Sequence, residues 1–273
     1  MSQHNPKHVW VENRTLAVTC AVLSVFSETA LGFSAETAGA AVSAFDFLAG
    51  LFHNRQMPQL PFITFEGSEG SGKSTQADRL AARLQRCGIP YILTHEPGGT
   101  PIGETIRELL QFAPHNWGMT SETELLLFEA SRSQLVREII KPALARGMCV
   151  IADRFFDSTT VYQGAARKLD REIIARLNAF AVGDCVPDIT FVLHVDAATA
   201  QSRMQRELRK ADRMEQQPAE FYECVRQGYR DLAAHMPKRV MLINGSRDPD
   251  EIGKEIWEKL CSRFSSLAKE SDV

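Results

Sequence analysis

Eight consecutive residues carry the most pointed chemistry in this sequence: Gly67-Ser68-Glu69-Gly70-Ser71-Gly72-Lys73-Ser74, followed by Thr75. Their spacing is that of G-x-x-x-x-G-K-[ST]. The glycines of such a loop let the backbone wrap with its N–H groups turned inward onto phosphate oxygens. A helix opening near Lys73 adds the positive end of its dipole. Lys73 is expected to reach the β- and γ-phosphates of ATP, and the Ser74 hydroxyl to ligate Mg²⁺. The second candidate metal ligand is Asp153, which closes the apolar run CVIA. A carboxylate there can orient Mg²⁺ directly or through water; the plainer use of an Asp in that place is a turn cap. Arg154 follows at once. An arginine can grip a phosphate through two parallel hydrogen bonds, as a lysine cannot; the plainer reading is a surface arginine.

These groups need elements to hold them, and the chain supplies an alternation. Phe62–Glu66 (FITFE) reads as a strand, and 74–87 as a helix stopped by Gly88, so the glycine loop lies between strand and helix as it must. Residues 91–94 read as a second strand and 102–112 as a helix. Ser121-Glu122-Thr123-Glu124 has the form of a capping box opening a long amphipathic helix to about Arg146, with Pro142 bending its end. A third strand covers 149–152, and Asp170 caps a helix that includes Phe180. Strand 189–195, an Asp196-capped helix, helix 218–236, strand 240–243 and helix 249–268 complete the series. Five short apolar strands separated by helices imply an α/β fold: a parallel five-stranded sheet in a three-layer α/β/α sandwich. Right-handed crossovers bring the strand C-termini, and with them the glycine loop and Asp153, to one edge.

Of the 273 residues 44% are hydrophobic and 24% charged, ordinary values for a globular protein. The net charge of -3 gives no basic excess, so no nucleic-acid partner is expected. The apolar stretch 16–26 is too short to span a bilayer, and no membrane association is expected. Cys20, Cys87, Cys149, Cys185, Cys224 and Cys261 are scattered without a C-x-x-C pair, as expected for free thiols in the cytoplasm. Residues 1–56 differ in character from the rest. They read as an extension outside the functional fold, with translation starting at Met57 or the segment only loosely attached, and 57–273 as the working domain. Against a secretory leader stands the lack of a clean cleavage pattern; against a transit peptide stand Glu12, Glu28 and Glu36.

Five segments, in order, add a resemblance: FEGSEGSGKST (65–75), HEPGGT (95–100), LLFEASRSQ (126–134), ADRFFDSTTVYQG (152–164) and DRMEQ (212–216). Over nearly all of 60–270 the chain resembles the thymidylate kinases. The resemblance implies a nucleoside-monophosphate-kinase-like fold with a mobile lid, and a homodimer that uses ATP and Mg²⁺ to make dTDP from dTMP. It implies that Phe128 stacks on thymine and Arg132, at i+4 on the same helix face, bonds its O4. It also places Arg154 on the dTMP phosphate, Thr159 at the base edge, and Tyr162 under the deoxyribose, against a 2′-hydroxyl. Gln163 and Pro97 would line the same pocket, and Glu69 would lie between the two phosphoryl groups. Without the resemblance, Phe128 and Tyr162 read as core residues and Arg132 as part of a solvated helix face. Some members carry a basic residue directly after the acid of the loop; here that position is Gly70. The catalytic arginine is therefore expected in the lid segment RMQRELRKADR (203–213), where Arg206 and Arg209 compete. Two other readings stay open: another monophosphate or deoxynucleoside kinase, and a regulatory ATP-binding module.

Overall fold

A computed structural model describes residues 60–114, 116–206 and 212–268, all within one compact unit. The segment 1–56, Met57, Cys20 and Arg209 lie outside the described residues. Five strands form: β1 (Phe62–Glu66), β2 (Tyr91–His95), β3 (Cys149–Asp153), β4 (Ile189–His194) and β5 (Val240–Asn244). All are parallel, in the order β2-β3-β1-β4-β5. The inner strands β1, β3 and β4 are buried almost throughout, while the edge strand β5 buries only Val240 and Ile243 fully. Continuous apolar runs belong to strands covered on both faces.

The chain leaves β1 for β2 on one side of the sheet and later enters β4 on the other. This reversal makes β1 the switch point, where the strand C-termini leave a crevice. The register sets Phe65 beside Asp153 and Asp153 beside His95, so β3 brings its acid to that edge.

Helices α1 (Lys73–Arg86), α2 (Pro101–Gln111) and α3 (Ser121–Leu135) follow the first turns of the chain. Thr120, not Ser121, caps α3: its hydroxyl accepts the Thr123 N–H at 3.2 Å. Glu124 cannot reach back as a capping-box acid because its carboxylate is buried and otherwise engaged. Past α3 the helix shifts to π register over Val136–Ile140 and resumes as Lys141–Ala145. Pro142 thus begins the last turn rather than bending a continuous helix; it has no N–H to close a bond to Glu138, and the wider turn absorbs the mismatch.

Next come α4 (Phe156–Thr159), running into a π turn at Thr160–Ala166, α5 (Arg171–Val182), α6 (Ala197–Arg206), α7 (Ala219–His235), α8 (Pro249–Arg263) and the short α9 (Ser265–Ala268). The expected C-terminal helix breaks at Phe264, whose backbone is extended. Asp170 caps α5 as expected, accepting from the Glu172 and Ile173 N–H groups at 2.8 and 3.0 Å.

Phe62, Ile92, Val150 and Ala152 meet Leu135, Val136, Ile140 and Val182 in one apolar cluster. Helix α1 packs on β1, β2 and β3, with α8 against it. Helix α7 closes a second cluster with Val192, Val240 and Tyr162. Helices therefore flank the sheet, as the strand spacing implies.

Candidate active site

The loop 67–72 takes a shape only glycine permits. Gly67 and Gly70 have φ of +142° and +70°. A Cβ on either would lie 2.5 Å from a carbonyl oxygen, that of Leu193 or of Ala200. Arg203, one of the lid arginines, grips the loop from outside. It donates to the carbonyls of Gly70, Ser71 and Gly245 at 3.3, 3.4 and 3.0 Å. Those bonds tie the second half of the loop to α6 and to the turn after β5. Lys73 arches back onto the Ser68 carbonyl at 3.4 Å. Burial and the neighbouring Arg154 push its ammonium below the ordinary lysine range, while Asp153, Glu69 and Glu66 pull the other way. Ser74 and Thr75 are exposed in the first turn of α1. Asp153 Oδ1 is buried and has no hydrogen-bond partner. A buried carboxylate oxygen without a partner is the kind of group that a hard cation satisfies. Among the described residues no group of three His, Cys, Asp or Glu could hold a metal alone, so phosphate oxygens would have to complete such a shell.

Arg154 adopts φ +71°, a left-handed conformation that costs a non-glycine residue about 1–2 kcal/mol. The twist turns its guanidinium toward the glycine loop. Its Nη2 lies 2.7 Å from Glu69 Oε1 and 3.2 Å from the Tyr162 hydroxyl. Tyr162 donates to Glu69 Oε2 at 2.8 Å. Glu69 thus joins the loop around Lys73 to the side chains of Arg154 and Tyr162. Below them lies Glu66, which sequence reasoning passed over as the end of a strand. Its carboxylate accepts from the Phe155 N–H, the Ser158 hydroxyl and the Tyr229 hydroxyl at 2.8, 2.6 and 2.8 Å. Burial and nearby Asp157 push its pKa up.

Phe128 is only partly buried and lies outside the apolar clusters, unlike the core residue that Leu125, Leu126 and Leu127 would suggest. Arg132 is not on a solvated face: it is 1% exposed. It donates to Glu96 at 2.8 Å, to Glu129 at 2.6 Å and to Asn178 at 3.1 Å. Two carboxylates share this one cation. Burial drives Glu96 up to about 8, against the pull of Arg132. Pro97 is buried after a cis bond from Glu96, and its carbonyl accepts from Arg107 at 2.9 Å. Thr159 is buried with its hydroxyl unpartnered. Gln163 is buried and donates to Glu124 at 2.7 Å.

Arg107 was missed by sequence reasoning. Burial lowers its pKa, and the charges it feels include those of Asp153 and Arg154. Its one sequence signal is its place about two helical turns beyond HEPGGT. Of the lid candidates, Arg206 is exposed at the end of α6. Arg213 is buried on Glu124 at 2.6 Å and on the Leu110 carbonyl at 3.0 Å, anchoring the far end of the segment.

A family model for thymidylate kinase matches residues 65–256. A thymidylate kinase of Pseudomonas syringae is 47% identical over 208 residues, 76% of this chain and 98% of that one. One from Kosmotoga olearia is 44% identical over 196 residues, 71% and 92% of the two chains. The crystal structure of a thymidylate kinase from Ehrlichia chaffeensis superposes with a TM-score of 0.60. It shares 38% of its residues with this chain, covering 74% of this chain and 99% of its own.

Proposed function

The chain belongs to the thymidylate kinase family, and we propose that its Lys73 loop and Arg154 pocket are the donor and acceptor halves of one phosphoryl-transfer site. The enzyme moves the γ-phosphoryl of ATP onto dTMP, giving dTDP and ADP for dTTP synthesis. The carrying observation is the bridge from Glu69 in the loop to Arg154 and Tyr162, at 2.7 and 2.8 Å. A span that short lets donor and acceptor phosphates meet in line.

In this reading, Gly67, Ser68, Gly70, Ser71 and Gly72 offer N–H groups to the ATP phosphates, with Ser74 and Thr75 at the helix start. Lys73 neutralises the β/γ oxygens. Arg154, joined by Arg107, takes the dTMP phosphate in place of Glu69, and the released Glu69 turns toward the sugar 3′-hydroxyl. Phe128 supplies the stacking face for thymine, Arg132 and Gln163 the polar edge, Thr159 and Pro97 the walls, and Tyr162 the floor under the deoxyribose. Ser74 and Asp153 would hold Mg²⁺, which when bound spreads charge away from the transferred phosphoryl group. Arg206 or Arg209 supplies the closing cation.

The finer reading includes a cytoplasmic homodimer whose kinase domain is 57–273. Free thiols such as buried Cys149 suit a reducing compartment. A coupled ADP assay over dTMP, dUMP, dGMP, AMP and thymidine tests the proposal. We expect dTMP to lead in kcat/KM, and Lys73→Met to lower kcat by about a thousandfold or more. A preference for a purine monophosphate, or near-full turnover in the Lys73 variant, would reject it.

A further inference from the structure

Glu124 stands one helical turn before Phe128 on α3, and its carboxylate is 1% exposed. Three side chains from two separate stretches of chain donate to it. Gln163 Nε2 and Arg167 Nε reach Oε1 at 2.7 and 3.2 Å; Arg213 Nη2 and Arg167 Nη2 reach Oε2 at 2.6 and 3.1 Å. Both arginines are themselves pinned. Arg167 lies 4.7 Å over the Phe221 ring and donates to Gln217 at 2.9 Å, while Arg213 donates to the Leu110 carbonyl at 3.0 Å. The carboxylate therefore cannot swing. Burial alone would raise its pKa, but the bonds from Arg167 and Gln163 and the charge of Arg213 hold it below the ordinary range. It is ionised at neutral pH.

An ionised carboxylate accepts and never donates. Gln163 must therefore offer Glu124 its NH₂ group, which fixes the other branch of the amide as an acceptor. A glutamine free to turn over could place either group on its open branch; this one holds its oxygen there, with its NH₂ on the Glu124 side. We propose that Glu124 is the positioning residue of the acceptor pocket, fixing the Gln163 amide so that its oxygen selects a pyrimidine with an N–H at ring position 3. Thymine and uracil have that N–H. Cytosine has a lone pair there, and two acceptors facing each other across a dry pocket are costly. The inference rests on Gln163 lining the base pocket, as proposed above.

The test is kcat/KM for dTMP and dCMP in five proteins: wild type, Glu124→Gln, Glu124→Asp, Gln163→Leu, and the double variant Glu124→Gln/Gln163→Leu. In Glu124→Gln the introduced amide can meet either branch of Gln163. The dTMP:dCMP preference should fall at least about tenfold, carried mainly by the KM for dTMP. Glu124→Asp keeps the charge that the two arginines need, so it should fold with a near-native Tm, and its shorter reach should shift the preference in the same direction. The double variant should be no worse than Gln163→Leu alone, because one residue acts through the other. Glu124 variants that lose Tm but keep the full preference would overturn the inference, as would losses that add in the double variant. If Gln163→Leu binds dTMP normally, the reading of Gln163 fails first and the inference falls with it.

Discussion

Two carboxylates converge on Arg132, where one would neutralise it. Glu96, Glu129 and Arg132 are all less than a tenth exposed. An extra negative charge in such a place is expensive, and the cluster relieves it by holding a proton. That proton sits on Glu96, raised from the ordinary 4.5 to about 8. The folded protein thus keeps a proton that the unfolded chain has released. The stability it contributes is complete below about pH 4.5 and is lost as pH rises through about 8. Glu96→Gln carries the neutral form permanently, so its Tm should fall less than wild type between pH 5 and pH 8. Parallel thermal melts across that range would show it; identical slopes in the two proteins would place the proton elsewhere. At Arg154 the same logic concerns shape. A left-handed arginine is strained, and the bonds to Glu69, Ser158 and Tyr162 hold it there.

Helix α4 and its π extension carry Thr159, Tyr162 and Gln163, three of the candidate site residues, directly after Arg154. The sequence FFDSTTVYQG gave little sign of a helix, being rich in β-branched and aromatic residues of low helix propensity. Tertiary bonds hold it instead. Asp157 accepts two bonds from Arg239, each of 2.7 Å, and one from Thr190 at 3.1 Å, tying the helix to β4 and to the turn before β5. Asp157→Asn removes a charge that is 1% exposed and leaves Arg239 half-satisfied, and it should cost about 3 kcal/mol in chemical denaturation. A loss below about 0.5 kcal/mol would show the pair to be ornamental. The lid segment divides by partner: Arg203 serves the glycine loop, Arg213 serves Glu124, and Arg206 alone of the described three points outward. Arg206→Ala or Arg209→Ala should lower kcat by about a hundredfold with little change in dTMP KM. Full turnover in both would remove the lid from the catalytic account.

Over the whole molecule, large apolar side chains remain uncovered on three neighbouring helices. They are Leu109 on α2, Leu126 on α3, and Ile173 and Phe180 on α5, with Phe180 77% exposed. Helix α3 packs against both α2 and α5. Exposed apolar area of that kind is what a subunit interface would cover, and it supports the proposed homodimer. A chain beginning at Met57 should elute as a dimer in light scattering and turn over dTMP as the full chain does. Phe180→Asp in the same chain should give monomers. Dimers that survive this change, or a Met57 chain without activity, would count against the interface or against the domain boundary.

Local rules sufficed for the alternation of strands and helices along the chain. The glycine loop, the strand before it, the helix after it and Asp153 at a strand end all follow from steric and hydrogen-bonding demands that act within a few residues. The segments HEPGGT, LLFEASRSQ and DRMEQ marked the family for the same reason: each is short and contiguous. Glu66 escaped notice, and Glu124 read only as a helix cap, because their partners stand 163 and 89 residues away. A carboxylate at a strand end or on the first turn of a helix looks the same in sequence whether water or a buried arginine faces it. Only the packed fold removes the water, and with it the freedom of Arg132, Gln163 and Glu96 to choose other partners or other charges.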